Sequence, residues 1–140
     1  LVFAAQGLPG GERNGLFIVR GNASGAQIYV PYWHGVPTNT PGKVSLIYAD
    51  ESDRAGTLSY IYFRLLDSAG MAAIGPVPSV QPTAESAAAG ATVGPVRSFN
   101  QYSPGLWEAE VRIRSTIGDS SYTIHANGAP DRIVTITATR

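Results

Sequence analysis

The sequence of 140 residues contains no cysteine. This absence excludes disulfide bonds, thiolate catalysis, zinc–thiolate sites and iron–sulfur clusters. Long apolar runs are also missing, since none reaches the roughly 20 residues that a membrane-spanning helix needs. No transmembrane segment is therefore predicted.

Charge is scarce and balanced. Lys43 is the only lysine, nine arginines are scattered along the chain, and the formal net charge is zero. A nucleic-acid partner is excluded, because binding to phosphates depends on clustered lysine and arginine. Charged residues make up 14% and hydrophobic residues 44% of the chain, which is typical of a folded core. The length predicts one domain over residues 1–140.

The residues that are present alternate with a period of two. In "LWEAEVRIRS" (106–115) the apolar and the charged side chains fall on opposite faces, as in a strand with one buried face. "SYTIHA" and "RIVTITAT" follow after turn residues, and the three segments predict an antiparallel meander. With "GLFIVR", "AQIYVPYW", "KVSLIYA" and "TLSYIYFRLL", they bring the prediction to about 8–9 strands. The fold class is all-β, an antiparallel β-sandwich.

Two segments depart from this pattern. Residues 1–14 are predicted to be an N-terminal arm or a first strand. Residues 78–92, rich in Ala, Pro and Ser, are predicted to be a long inter-strand loop, with a helical turn at 84–89 as the alternative.

Three stretches carry a family resemblance. "YFRLLDSAG" (62–70), "SPGLWEAEVRI" (103–113) and "YTIHANG" (122–128) resemble bacterial immunoglobulin-like modules, with a D-x-x-G turn and a Pro-Gly entry into a late strand. The resemblance covers residues 43–139. It implies an immunoglobulin-like sandwich that serves in surface adhesins, fibres or enzyme accessory domains, and it implies no catalytic residues.

Residues suited to catalysis are few. The chain has two histidines, His34 and His125, and no G-x-S-x-G nucleophile motif. Glu108 and Glu110 share one strand face and could mimic a glycosidase pair, but arginines beside them favour a salt-paired surface. We therefore predict a protein that is not an enzyme and needs no cofactor.

Metal binding has one weak candidate. Asp50, Glu51 and Asp53 offer the carboxylate oxygens that Ca²⁺ prefers, but the loop lacks the glycine of an EF-hand. A solvated turn is the favoured interpretation, and no metal site is predicted.

The aromatic stretch "VPYWHGVP" (30–37) is the main binding candidate. Prolines at 31 and 37 are expected to stiffen a loop that carries Tyr32, Trp33 and His34. The alternatives are a structural cap on the core, a protein contact and a sugar platform. The main hypothesis is an assembly subunit or decoration of an extracellular fibre, virion or surface complex. The alternative is a carbohydrate-binding accessory module that uses Tyr32 and Trp33.

The apolar N-terminus supports the assembly hypothesis. Leu1, Val2 and Phe3 are predicted to contact a protein partner or a second copy of the chain. Small residues near Ala4 also fit the end of a secretory leader, although a first strand or a packed terminus is the favoured interpretation. An extracytoplasmic location is expected.

Overall fold

The computed structural model describes residues 14–20, 27–33 and 38–140. Ten strands and one short helix lie in these ranges. The strands are β1 (Asn14–Arg20), β2 (Gln27–Trp33), β3 (Lys43–Tyr48), β4 (Ser52–Arg54), β5 (Leu58–Leu66), β6 (Ser79–Pro82), β7 (Thr92–Ser98), β8 (Leu106–Arg112), β9 (Gly118–His125) and β10 (Arg132–Thr139). The helix is α1 (Ala84–Ala88).

Eight of these strands form two four-stranded sheets. Sheet I has the order β3-β5-β8-β7 and sheet II the order β4-β10-β9-β6. All neighbouring strands in the two sheets are antiparallel except β10 and β4, which are parallel. The predicted all-β antiparallel sandwich is confirmed.

The core lies between the sheets and follows the predicted alternation. On β8, Trp107, Ala109 and Val111 are buried, whereas Glu108 and Glu110 point outward and are half-buried. The other strands contribute large side chains in the same way. The largest fully buried ones are Tyr122, Phe63, Ile61, Leu65, Ile113, Ile124 and Ile136. Each such aliphatic or aromatic side chain stabilises the fold by roughly 1.5–3 kcal/mol.

The predicted C-terminal meander is wrong at its first connection. β9 and β10 pair as a hairpin, but β8 belongs to the opposite sheet. The reason is that β5 and β7 already occupy both edges of β8, so β9 must join sheet II. The side chain of Tyr122 on β9 bridges the two sheets, since its hydroxyl donates to the Arg112 carbonyl oxygen at 2.6 Å.

Residues 78–92 do not form the long loop that the sequence predicts. β6 pairs with β9 and buries Val80, and α1 follows at the position of the alternative helical turn. The helix packs through a polar group, because the buried Ser86 hydroxyl accepts a hydrogen bond from the Ser121 N–H at 2.8 Å. Gly90, with φ of +93°, ends it. The sequence predicts a loop here because a segment with so few bulky apolar residues shows little of the hydrophobic periodicity that marks strands and helices.

The N-terminal strands form a separate two-stranded sheet. β1 and β2 are antiparallel, with Asn14 opposite Trp33 and Arg20 opposite Gln27. The strand predicted for "AQIYVPYW" is therefore present as β2, and it takes up the first half of the stretch 30–37 that is also predicted to be a loop. Pro31 fits there because a strand with an open edge tolerates a residue without an N–H.

All four edge strands of the sandwich are short or irregular. β4 has three residues, and β6 has four and ends at Pro82. The register shifts between Leu46 and Tyr48 on β3 and between Val93 and Val96 on β7. Such edges are poor templates for pairing with another sheet.

Candidate binding surface

Three tyrosines share the outer face of sheet I. On β5, alternation buries Ile61 and Phe63 and turns Tyr60 and Tyr62 outward. Tyr48 on β3 lies directly opposite Tyr62. With the neighbouring carboxylates, these residues form what we term the tyrosine face. Its members are Tyr48, Asp50, Tyr60, Tyr62, Glu108 and Glu110.

A β-bulge places Tyr48 on this face. Leu46 pairs with Phe63, so without an extra residue Ile47 would lie opposite Tyr62 and Tyr48 would point toward the core. The register shift leaves Ile47 unpaired and brings Tyr48 outward. Tyr48 is 55% exposed and Tyr60 41% exposed, while Tyr62 is half-buried.

Hydrogen bonds fix two of the three phenols. The Tyr48 hydroxyl donates to Asp50 Oδ1 at 2.5 Å, and the Ser59 hydroxyl donates to Asp50 Oδ2 at 2.9 Å. The Tyr62 hydroxyl donates to Glu108 Oε2 at 2.7 Å. The rings are thus held against the sheet, which reduces the rotamer entropy that a ligand would have to restrict.

The same contacts set the protonation states of these groups. The hydrogen bond to Asp50 raises the pKa of Tyr48, and the bond to Glu108 raises the pKa of Tyr62. The donor Tyr48, followed by Ser59, lowers the pKa of Asp50. At neutral pH the phenols are protonated donors and the Asp50 carboxylate is ionised.

The acidic residues lie beside the tyrosines on the next strand. Glu108 is opposite Tyr62, and Glu110 is opposite Tyr60. Gly94 on β7 leaves room for the Glu110 carboxylate, because a Cβ at position 94 would lie 3.1 Å from Glu110 Oε1.

The basic residues on this side of the sandwich make different contacts from the predicted salt pairs. Arg112 Nη1 donates to the Gly56 carbonyl at 2.7 Å, and Arg114 Nη1 donates to the Asp119 carbonyl at 3.1 Å. Arg97 lies opposite Glu108 in the β7–β8 ladder.

Arg64 lies at the other end of the same sheet face. One terminal nitrogen of Arg64 donates to the Ser103 hydroxyl at 2.6 Å, beneath the connection between β7 and β8. Burial lowers the pKa of Arg64, and its Nε has no hydrogen-bond partner within the described residues.

His125 lies on the opposite sheet and is exposed, as the alternation of "SYTIHA" indicates. Its Nδ1 is 2.6 Å from Asp131 Oδ1, and Ser79 is opposite it on β6. The imidazole and the carboxylate are 58% and 55% exposed. Across residues 38–140 the structure has no side-chain hydrogen bond between Ser79 and His125, and a site open to water does not shield a charged transition state.

The predicted calcium candidates do not converge. Asp50 accepts hydrogen bonds from Tyr48 and Ser59, and Asp53 Oδ1 accepts one from the Arg54 N–H at 2.7 Å. In the part of the chain that the structure describes, no three His, Asp or Glu side chains are grouped as metal ligands.

The other predicted site residues remain untested. Tyr32 and Trp33 are the last residues of β2, and their side chains are outside the description. His34 and the predicted contact residues Leu1, Val2 and Phe3 lie outside the described ranges.

Sequence reasoning missed the tyrosine face. The stretch "TLSYIYFRLL" suggested apolar residues on both faces of a partly covered strand. The available signal was that two consecutive outward positions of this strand, 60 and 62, carry phenols rather than aliphatic side chains.

No protein-family model and no curated protein matches the chain. Solved structures do match. The domain 4–5 structure of the S-layer protein SbsC has 17% identity and a TM-score of 0.55 over 91% of this chain. The Escherichia coli adhesin FdeC has 19% identity and a TM-score of 0.53 over 91% of this chain.

A β-glycosidase from Bacteroides vulgatus has 15% identity and a TM-score of 0.57 over 89% of this chain. The fold is that of a bacterial immunoglobulin-like sandwich. The immunoglobulin-like chain described here spans 66%, 41% and 17% of these three solved chains, so it corresponds to a part of each. Among the described residues no helix is long and apolar enough to cross a membrane.

Proposed function

We propose that this chain is a non-catalytic interaction module of an extracytoplasmic protein or assembly, such as a surface fibre, virion or larger surface complex. The observation that carries the proposal is the tyrosine face. Two of its phenols, Tyr48 at the end of the edge strand β3 and Tyr60 on the central strand β5, are about half exposed. Aromatic side chains fixed on a rigid surface give contact area at low entropic cost.

The chemistry of the described residues favours binding over catalysis. The acidic residues of the tyrosine face lie on an open sheet, where a general acid with a raised pKa is difficult to maintain. His125 and Asp131 are exposed to solvent on the other sheet. Neither group has the enclosed cavity and oriented donors that hydrolases use.

The location rests on comparison. Two solved structures with this fold are an S-layer protein and an adhesin, and this chain matches only a part of each. A surface location and a role as one module over residues 1–140 are in keeping with these neighbours. Leu1, Val2 and Phe3 remain the proposed assembly contact, and Tyr32, Trp33 and His34 a proposed second contact.

Hydroxyl-radical footprinting tests the proposal without knowledge of the partner. Tyr48 and Tyr60 should be labelled in the isolated chain and protected in the full-length protein at the surface of the cells that produce it. Tyr102, which is 77% exposed in the connection between β7 and β8, is the control and should be labelled in both settings. Equal labelling of Tyr48 and Tyr60 in the two settings would refute an interaction through this face.

The assembly contact has its own test. Sedimentation velocity of the full chain should show association that depends on concentration, and deletion of residues 1–8 should abolish it. A full chain that stays monomeric at all concentrations would contradict the role of the N-terminal residues.

A further inference from the structure

We infer that the tyrosine face binds an uncharged polysaccharide. This inference rests on the proposed function, because it names the chemical class of partner that the face contacts. It is independent of Tyr32 and Trp33, which belong to a different sheet.

The arrangement of the rings fits an extended ligand. Tyr60 and Tyr62 are two residues apart on one strand, which separates them by about 7 Å. Tyr48 is opposite Tyr62 on the neighbouring strand, roughly 5 Å away across the ladder. The three phenols therefore cover a solvent-exposed patch that is longer than one tyrosine ring. The C–H face of a pyranose stacks on an aromatic ring, so successive sugars of a polysaccharide fit on successive tyrosines.

Charges of both signs are mixed on this side of sheet I and nearly balance. The acidic side chains are Asp50, Glu108 and Glu110, and the basic ones are Lys43, Arg64, Arg97 and Arg112, which leaves one formal positive charge. A polyanion would be repelled by the carboxylates, and a polycation by the guanidinium groups. A ligand without net charge has no such penalty.

The same charges argue against a protein partner. The buried centre of a protein interface is depleted of charged residues, because each one must lose its hydration. Here Glu108 and Glu110 flank the tyrosines directly. A second copy of the chain laid face to face would bring four glutamates together. Sugar hydroxyls instead donate to carboxylates and replace the lost water in short, charge-assisted hydrogen bonds.

The carboxylates are positioned as acceptors for such hydroxyls. Glu108 accepts from Tyr62 through one of its two carboxylate oxygens, Oε2. Glu110 Oε1 lies over Gly94, a residue without a side chain. Each exposed phenol thus has a carboxylate beside it, which pairs a stacking surface with a hydrogen-bond acceptor.

Affinity electrophoresis of the full chain provides the test. The gels contain β-glucan, mannan or xylan as neutral probes and alginate as an anionic probe, at about 0.1 M and about 0.5 M salt. The chain should be retarded by at least one neutral polysaccharide, with little change between the two salt concentrations. Tyr60→Ser should weaken this binding by about tenfold or more, which corresponds to about 1.4 kcal/mol.

Two further variants keep the test informative. Glu110→Gln retains the size of the side chain and removes its charge, and it should weaken binding to the neutral polysaccharide. It provides a second test of the tyrosine face if Tyr60→Ser does not fold. Tyr102→Ser removes an exposed tyrosine outside the face and should bind as the wild type does. Cooperative urea unfolding of each variant verifies that the sandwich is intact.

The outcomes separate the two proposals. Retardation by no neutral polysaccharide, retardation by alginate alone, or binding that neither Tyr60→Ser nor Glu110→Gln weakens would each overturn the polysaccharide inference. If footprinting still shows Tyr48 and Tyr60 protected in the native setting, the interaction module stands and its partner belongs to another class. If the protection is absent as well, both proposals fail.

Discussion

The hydrogen bond that joins the two sheets gives the most direct test of the fold. Tyr122 is fully buried, and its hydroxyl donates to the Arg112 carbonyl across the core. Tyr122→Phe keeps the ring and removes only this donor. Leaving the part-buried Arg112 carbonyl without its donor costs about 2 kcal/mol, the middle of the range for an acceptor that loses its partner. We therefore expect the free energy of unfolding to fall by about 2 kcal/mol.

Urea denaturation followed by tryptophan fluorescence measures this loss. With a slope of about 2 kcal/mol per molar urea, the midpoint should fall by about 1 M while the slope is unchanged. Tyr62→Phe is the matched control, because it removes a hydroxyl that donates to Glu108 at the surface. The free energy of unfolding of Tyr62→Phe should fall by no more than about 1 kcal/mol. Equal midpoints for Tyr122→Phe and the wild type would refute the bond between the sheets.

Two other predictions concern an acidic hydrogen-bond acceptor and a tight turn. Because hydrogen bonds lower the pKa of Asp50 below its ordinary 3.8, its stabilising effect is complete above that pH and is lost as the pH falls through the folded-state pKa. The stability difference between wild type and Asp50→Asn should therefore be constant near neutral pH and shrink below pH 3.8, as measured by urea denaturation across pH; a difference that grows in acid would contradict it. Gly105→Ala should destabilise by more than about 2 kcal/mol, because φ is +78° and its Cβ would lie 2.7 Å from the Leu65 carbonyl oxygen. Gly56→Ala, with φ of +80° and open space around the Cβ, should cost only about 1 kcal/mol, and similar losses for both would contradict the close approach at Gly105.

The parts of the fold that follow from local alternation were predictable from the sequence. The inward and outward positions of β8 were predicted residue by residue, because side-chain direction in a strand depends only on the period of two. The exposure of His125 followed from the same rule. The sandwich class followed from the number of such segments and their turns.

Features that depend on distant partners were not predictable. The sheet that receives β9 is decided by β5 and β7, which fill both edges of β8. The tyrosine face depends on one bulge at Ile47, which reverses the direction of Tyr48, and no residue pattern marks that bulge. α1 is held by the hydroxyl of Ser86, so apolar periodicity could not reveal its packing.

The parallel pairing of β4 and β10 has a mechanical consequence. Thr137, Ala138 and Thr139 pair with Ser52, Asp53 and Arg54, and backbone hydrogen bonds from Ala55 to Thr139 and from Thr137 to Glu51 extend the contact. Tension that pulls the chain before β4 and after β10 in opposite directions acts along both strands at once. The ladder is then sheared, and its hydrogen bonds carry the load together instead of opening one after another. Forced unfolding depends on the rate of crossing that barrier rather than on equilibrium stability. The strand pair of three residues on each side is therefore loaded in shear by such tension.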